Sequence, residues 1–176
     1  MIICLDDEVK HAKNYMNIQK IRYKNVFSFD FNIDTEILQC CTVKLVLQPL
    51  LENAIYYGVE YMFGDGEINV RGYRKDDDVY IEVCDNGLGI PPETLKHLLE
   101  PDNKLRKHGS GVGLLNVHNR IKLCFGMCYG LEIESLPDEG TTVRIHIPFI
   151  PYSAQAQEQL ESGKMSNRKE GTHEKQ

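Results

Sequence analysis

Two glycine-rich segments are the part of the chain best suited to bind an anion. Residues 85–90 read Asp-Asn-Gly-Leu-Gly-Ile, and residues 109–117 read Gly-Ser-Gly-Val-Gly-Leu-Leu-Asn-Val. Glycine adopts positive φ and lets a ligand approach the backbone, so glycines beside a helix start leave N–H groups free for an anion. A nucleotide phosphate tail is the obvious candidate. Either cluster alone is as typical of an ordinary turn.

The surroundings of the two clusters exclude two common phosphate-binding motifs. Val79, Ile81 and Val83 alternate with less apolar residues, which predicts a half-buried strand ending at Asp85. The first cluster therefore follows a strand, and the second precedes a helix. Neither has the Gly-x-Gly-x-x-Gly spacing of a Rossmann turn. A Walker A loop would need a terminal Gly-Lys-Ser/Thr, which is missing.

Two further segments complete an ordered set. Residues 45–58 read Leu-Val-Leu-Gln-Pro-Leu-Leu-Glu-Asn-Ala-Ile-Tyr-Tyr-Gly, and residues 140–143 read Gly-Thr-Thr-Val. An Asn box, Asp-x-Gly-x-Gly, Gly-x-Gly-x-Gly and Gly-Thr, in this order, resemble the ATP-binding domain shared by sensor histidine kinases, gyrase-type topoisomerases and related proteins. Residues 13–23 and 44–54 narrow the resemblance to the C-terminal portion of LytS- and YesM-type bacterial sensor kinases, over roughly residues 5–149.

The resemblance implies ATP and Mg²⁺ as ligands. It implies that Asp85 binds the adenine amino group, that Thr141 assists, and that Asn53 is the magnesium ligand and a catalytic residue, with Glu52 beside it as a second catalytic candidate. A cationic lid would span residues 100–110, although a charge run is more often a solvated surface. The full set of implied nucleotide-binding residues is Asp85, Gly87, Gly89, Gly109, Gly111, Val112, Gly113, Leu114 and Thr141.

The sequence departs from the family pattern in two places, at Pro49 and at the pair Tyr56 and Tyr57. Gyrase-like ATPases and anti-sigma-factor serine kinases carry a general-base glutamate four residues before the Asn, where this chain has Pro49. Without that base, hydrolysis and serine phosphorylation are disfavoured. One helical step turns by about 100°, so Glu52 need not face the same site. Tyr56 and Tyr57 replace the Lys, Arg or His common in the kinases, which would weaken stabilisation of the γ-phosphate.

Composition excludes several classes of protein. The net charge of −6 and pI near 5.5 argue against a nucleic-acid-binding surface. No apolar run approaches the roughly 18 to 20 residues that span a bilayer, and the N-terminus is unlike a signal peptide. The six cysteines form no Cys-x-x-Cys pair, so reduced, buried thiols are favoured over a zinc site. We expect a soluble domain.

The hydrophobic pattern predicts one α/β (α+β) domain. Helical spacing covers residues 6–22, 42–57 and 113–125, and a short helix begins at the prolines 91–92. Pro49 should produce either a kink or a helix whose regular part begins near it. Period-two alternation predicts strands at 27–33, 67–73, 78–84, 131–133 and 143–147. The expected fold is a two-layer sandwich, a mostly antiparallel mixed sheet of about five strands with helices on one face.

The hydrophobic pattern and the resemblance together imply three regions. Residues 1–24 would form a helix leading from a histidine-bearing region upstream, residues 25–150 the ATP-binding catalytic domain, and residues 151–176 a disordered, polar tail. The resemblance implies a homodimeric, membrane-anchored receptor whose cytoplasmic catalytic domain phosphorylates a histidine, with a response regulator as partner. A degenerate nucleotide-sensing or dimerisation module, and less so a serine kinase, remain alternatives.

Overall fold

The computed structural model describes residues 1–24, 26–100 and 112–163. Within these ranges the strands are β1 Ile2–Cys4, β2 Phe27–Ile33, β3 Cys41–Val43, β4 Gly66–Lys75, β5 Asp78–Asp85, β6 Gly130–Leu136 and β7 Gly140–Pro148. The helices are α1 Leu5–Arg22, α2 Leu47–Asn53, α3 Pro92–Lys96, α4 Val112–Phe125 and α5 Ala154–Glu161, with a 3₁₀ turn at Thr35–Ile37 and a π-helical segment at Ala54–Val59.

A five-stranded mixed sheet forms one layer, in the order β2-β4-β5-β7-β6. β2 pairs parallel with β4, and the other three pairings are antiparallel. Alternate residues of β5, such as Val79, Ile81 and Val83, are buried and join one core with apolar residues of α1, α2 and α4. The predicted strands and the two-layer sandwich are confirmed, because each strand's period-two pattern has one buried face.

α2 follows the second of the two arrangements expected around Pro49. The helix begins at Leu47, so Pro49 lies in its first turn, where a missing N–H costs no helical hydrogen bond. Leu47, Leu50 and Leu51 anchor the helix in the core. The π-helical segment continues it without a break.

A second, two-stranded sheet was not predicted. β1 pairs antiparallel with β3, and the chain after β7 returns beside β3, where the N–H of Cys41 donates to the carbonyl of Ile150 at 2.8 Å. Strands of three residues are too short to show a period. This small sheet joins both ends of the described chain.

The expected disorder of residues 151–176 is wrong for α5. Ser153 caps this helix by accepting a hydrogen bond from the N–H of Ala156. Leu160 is buried, and Glu161 accepts a hydrogen bond from the N–H of Ile2 at 2.7 Å. The polar composition concealed a helix that needs a single buried anchor. Residues 164–176 lie outside the described part of the chain.

No helix formed by the described residues is both long and apolar enough to cross a membrane. Cys4, Cys40 and Cys41 are buried free thiols, whereas Cys128 is exposed. Burial raises the pKa of Cys40 to about 12 and that of Cys41 to about 11. Both thiols are therefore protonated and unreactive near neutral pH.

Candidate functional site

α2 and the start of α4 form the two walls of a small cleft. Its volume is about 130 Å³, and its lining residues are Pro49, Glu52, Asn53, Tyr56, Tyr57, Gly113 and Leu114. α2 buries its leucine face in the core, which leaves Asn53 on the side of the helix that faces α4. The structure thus brings together the Asn box and the start of the helix that follows the second glycine-rich segment, and Asn53 and Gly113 are 60 residues apart in the sequence.

Asn53 and Glu52 both face this cleft. Within the described residues, the amide of Asn53 forms no hydrogen bond, while a carboxylate oxygen of Glu52 accepts one from Nε2 of Gln48 at 2.8 Å. Amide and carboxylate oxygens are the donors that Mg²⁺ uses when one or two protein ligands and the phosphates share its coordination. The residue types therefore fit a magnesium ion, and Glu52 lines the same cleft as Asn53 although one helical step of about 100° separates them.

Asp85 ends β5 beside the other part of the site. Its Oδ1 accepts a hydrogen bond from the N–H of Gly87 at 2.9 Å, and its backbone pairs with Thr141 of β7. Loss of hydration on burial raises the pKa of Asp85 to about 6, against the opposing effect of the hydrogen bonds from Gly87 and Thr141. The carboxylate is partly buried and able to accept a further hydrogen bond.

Gly58 connects the two parts, and we did not single it out from the sequence. A Cβ on Gly58 would lie 2.7 Å from Oδ1 of Asp85, and a Cβ on Gly87 would lie 2.2 Å from the carbonyl oxygen of Gly58. Gly87 therefore requires glycine, because its neighbours are backbone atoms, whereas a side chain at Gly58 would have to displace the Asp85 carboxylate. Gly58 follows Asn53 by five residues, about one turn of the π-helical segment. A glycine inside a helical pattern is the signal that could have found it.

The π-helical segment aligns Asn53 with Gly58. In an α-helix, five residues at about 100° each would place the second residue about 140° around the axis from the first. A π-helix bonds each residue to the one five positions along, so such residues lie closer to one side of the axis than they do in an α-helix. The N–H of Glu60 donates to the carbonyl of Ile55 at 3.0 Å in this manner. Asn53 and the contact with Asp85 thereby share one side of the segment.

The β6–β7 hairpin holds the first glycine turn against Asp85. Ser135 Oγ lies 2.8 Å from Oγ1 of Thr141 and accepts a hydrogen bond from the N–H of Ile90 at 2.7 Å. Gly89 has φ +71° and packs on the hairpin, and a Cβ on Gly140 would lie 1.9 Å from the carbonyl oxygen of Asp85. Ser135 is a site residue that the sequence did not reveal, because it lies in an ordinary strand pattern.

The remaining residues considered in the sequence lie next to the cleft, within it or outside the described part of the chain. Val112 begins α4 with an exposed side chain, next to Gly113 in the cleft. Gly109 and Gly111 lie outside the described residues, as does most of the predicted lid. Tyr56 and Tyr57 line the cleft, so the departure from a cationic residue lies within the site itself.

Comparison with known proteins places this geometry in a family. Residues 42–151 match the model described as histidine kinase-, DNA gyrase B- and HSP90-like ATPase. The chain belongs to this family. All the elements that line the cleft, and the Asp85 turn with its hairpin, lie within the matched residues.

Two curated relatives are sensor kinases. The chain is 36% identical over 147 residues to the sensor histidine kinase YesM of Bacillus subtilis (strain 168), which covers 84% of this chain and 24% of the relative. It is 34% identical over 146 residues to the sensor histidine kinase YpdA of Escherichia coli (strain K12), with 83% and 24% covered. The chain thus spans about a quarter of the length of these relatives.

Solved structures share the fold. The catalytic domain of histidine kinase ThkA, in a nucleotide-free form, aligns with a TM-score of 0.68 at 22% identity over 86% of this chain and 98% of that one. The mycobacterial sensor histidine kinase MprB aligns with a TM-score of 0.59 at 19% identity, over 86% and 99%. At such low identity the likeness supports the fold alone.

Proposed function

We propose that this ATPase-family chain is the Mg-ATP-binding catalytic domain of a sensor histidine kinase. It would bind ATP and present the γ-phosphate to a histidine on an upstream domain of the same kinase, from which a response regulator would receive it. The main support is one observation: Asn53 and Gly113 line a single cleft, and Asp85 contacts the other end of the helical segment that carries Asn53.

Each end of the site has its own task. Asp85 accepts a hydrogen bond from the exocyclic amine of adenine, and it disfavours guanine, which has a carbonyl at that position. Thr141 and Ser135 hold the turn beside the base. Gly113, in the first turn of α4, offers its N–H to the phosphates in the favourable field of a 14-residue helix.

Asn53 would hold Mg²⁺ through its amide oxygen, with Glu52 beside it. When bound, the ion neutralises charge on the phosphates and orients them for transfer. Phosphoryl transfer relies chiefly on positioning and charge stabilisation, so one domain can supply the nucleotide site and another the nucleophile.

The absence of a base at Pro49 favours histidine as acceptor. Water and serine need a group that removes a proton, and Pro49 has none to offer at the position where serine kinases of this superfamily carry a glutamate. A neutral imidazole nitrogen attacks through its own lone pair. Glu52 also lines the cleft, where its carboxylate accepts a hydrogen bond from Gln48 and lies beside Asn53.

The partners follow from this role. The kinase would be a membrane-anchored homodimer with its catalytic domain in the cytoplasm, and its histidine-bearing dimerisation domain would dock on this one. A response regulator as partner is supported by histidine kinase ThkA, which has been solved in complex with the response regulator protein TrrA. Nucleic acid is not among the expected partners, because the chain carries a net charge of −6.

A nucleotide sensor without kinase activity is the second candidate. Tyr56 and Tyr57 favour it, because the described residues that line the cleft include no Lys, Arg or His to stabilise a transferring phosphate. Calorimetry with Mg²⁺ and a non-hydrolysable ATP analogue tests binding. Labelled ATP, added to the chain extended by its histidine-bearing helix, tests transfer. Transfer to histidine supports the kinase, tight binding without transfer supports the sensor, and absence of binding contradicts both.

A further inference from the structure

The turn that precedes α2 is held by a buried carboxylate from another helix. Glu8 of α1 is 1% exposed. Its Oε2 accepts a hydrogen bond from the N–H of Leu45 at 2.9 Å, and its Oε1 accepts from Val46 at 2.8 Å and from Leu47 at 3.0 Å. These donors open the first turn of α2, whose own N-cap, Val46, has no side-chain acceptor. Glu8 therefore caps α2 from α1.

A side chain of α4 binds the carbonyl groups of the same turn. The guanidinium of Arg120 donates hydrogen bonds to the carbonyl oxygens of Lys44 and Leu45. Leu45 has φ +58°, a conformation that a leucine adopts only where its surroundings impose it. Glu8 binds the N–H groups and Arg120 binds the carbonyls. We call this arrangement the Glu8–Arg120 clamp.

The clamp connects the two walls of the proposed nucleotide cleft. Arg120 and Leu45 line a larger groove of about 520 Å³ between α2 and α4, and this groove shares Pro49, Glu52 and Gly113 with the cleft that contains Asn53. Arg120 lies on the same helix as Gly113, and the clamped turn leads directly into the helix that ends at Asn53. These bonds therefore link one wall to the other.

We propose that Glu8 and Arg120 are positioning residues that set the separation of Asn53 from Gly113, and hence the affinity for the metal-bound phosphates. This inference rests on the proposed function. Glu8 lies before residues 42–151, the part that matches the ATPase family. α1 therefore contributes to the nucleotide site without touching the nucleotide, and displacing α1 would loosen the phosphate end of the site while leaving the adenine end at Asp85 intact.

The test compares two ligands that differ at the phosphate end. Glu8→Gln keeps the shape but turns an amide N–H₂ towards backbone N–H groups, so at least one donor loses its acceptor. We expect the affinity for Mg-ADP, measured by calorimetry, to fall about tenfold. The affinity for adenosine, measured by competition with a fluorescent nucleotide, should change less than about twofold. Arg120→Lys, which loses the two-pronged donor, should act in the same direction.

Matched controls show whether any change of a charged side chain has the same effect on affinity. Asp7→Asn removes an exposed carboxylate from α1, and Arg71→Lys changes an exposed arginine on β4. Both should leave both affinities unchanged. Equal losses for Mg-ADP and adenosine, or no loss for either, would overturn the inference, and Arg120→Lys decides the matter if Glu8→Gln does not fold. If the unaltered chain binds neither Mg-ADP nor adenosine, the proposed function fails as well.

Discussion

At the scale of single residues, Asp85 links the stability of the fold to pH. Its pKa is about 6 in the folded chain and about 3.9 in an unfolded one. The contribution of Asp85 to stability is therefore fully present below about pH 4 and is lost as the pH rises through about 6. Two units correspond to at most about 3 kcal/mol. In urea unfolding of the nucleotide-free chain, Asp85→Asn should remove this decline, and a variant that parallels the unaltered chain would contradict the assignment.

The same proton controls nucleotide binding in the opposite direction. Ionised Asp85 is the stronger acceptor for the adenine amine, so the affinity for an ATP analogue should rise between about pH 5 and pH 7. Asp85→Asn should bind more weakly and lose this rise, apart from the titration of the phosphates themselves, which both proteins share. Calorimetry across the pH range provides the measurement. Parallel pH profiles would show that Asp85 does not contact the base.

A further prediction at the scale of single residues concerns Gly58. A Cβ there would lie 2.7 Å from the Asp85 carboxylate, so Gly58→Ala should displace Asp85 and weaken ATP-analogue binding about tenfold or more. Adding Gly58→Ala to Asp85→Ala should cost less stability than adding it to the unaltered chain, because the clashing carboxylate is then gone. Strictly additive losses in unfolding free energy would mean that the two residues are not in contact.

At the scale of elements, the β6–β7 hairpin depends on Ser135 to hold the first glycine turn. Ser135→Ala removes the acceptor of the Ile90 N–H and the partner of Thr141. We expect a loss of about 1–2 kcal/mol in unfolding free energy together with weaker binding of adenosine. Ser28→Ala, an exposed serine on β2, is the control and should change neither. Unaltered adenosine binding in Ser135→Ala would separate the hairpin from the site.

In contrast, α5 is expected to contribute to the stability of the fold but not to nucleotide binding. Leu160 is 4% exposed and packs into the core, so Leu160→Ala should lower the unfolding free energy by about 2–3 kcal/mol. Gln155→Ala, exposed on the same helix, should have little effect. Binding of the ATP analogue at a temperature where both variants are folded should be unchanged, because α5 contacts β1 and lies beside Leu123 and Cys124, at the end of α4 opposite Gly113. A changed affinity would mean that α5 reaches the site.

At the scale of the whole molecule, the sequence predicted those elements whose residues follow a regular pattern. The strands of the large sheet alternate, so its layers were predictable. Asp85, Asn53 and the glycines stand in an ordered set, which predicted most residues of the candidate site. β1 and β3 are too short for a pattern, and α5 buries little apolar surface. Glu8 and Ser135 were missed because they act through partners distant in sequence, which no local spacing can indicate.

The proposed nucleotide site is assembled from the two ends of one helical segment, and one structure would test it. We propose a crystal structure of the chain with Mg²⁺ and a non-hydrolysable ATP analogue. We expect one bound nucleotide with its adenine amine within hydrogen-bonding distance of Asp85 and its metal ion on the amide oxygen of Asn53. A purine bound away from Asp85, or phosphates directed away from Asn53 and Gly113, would contradict it.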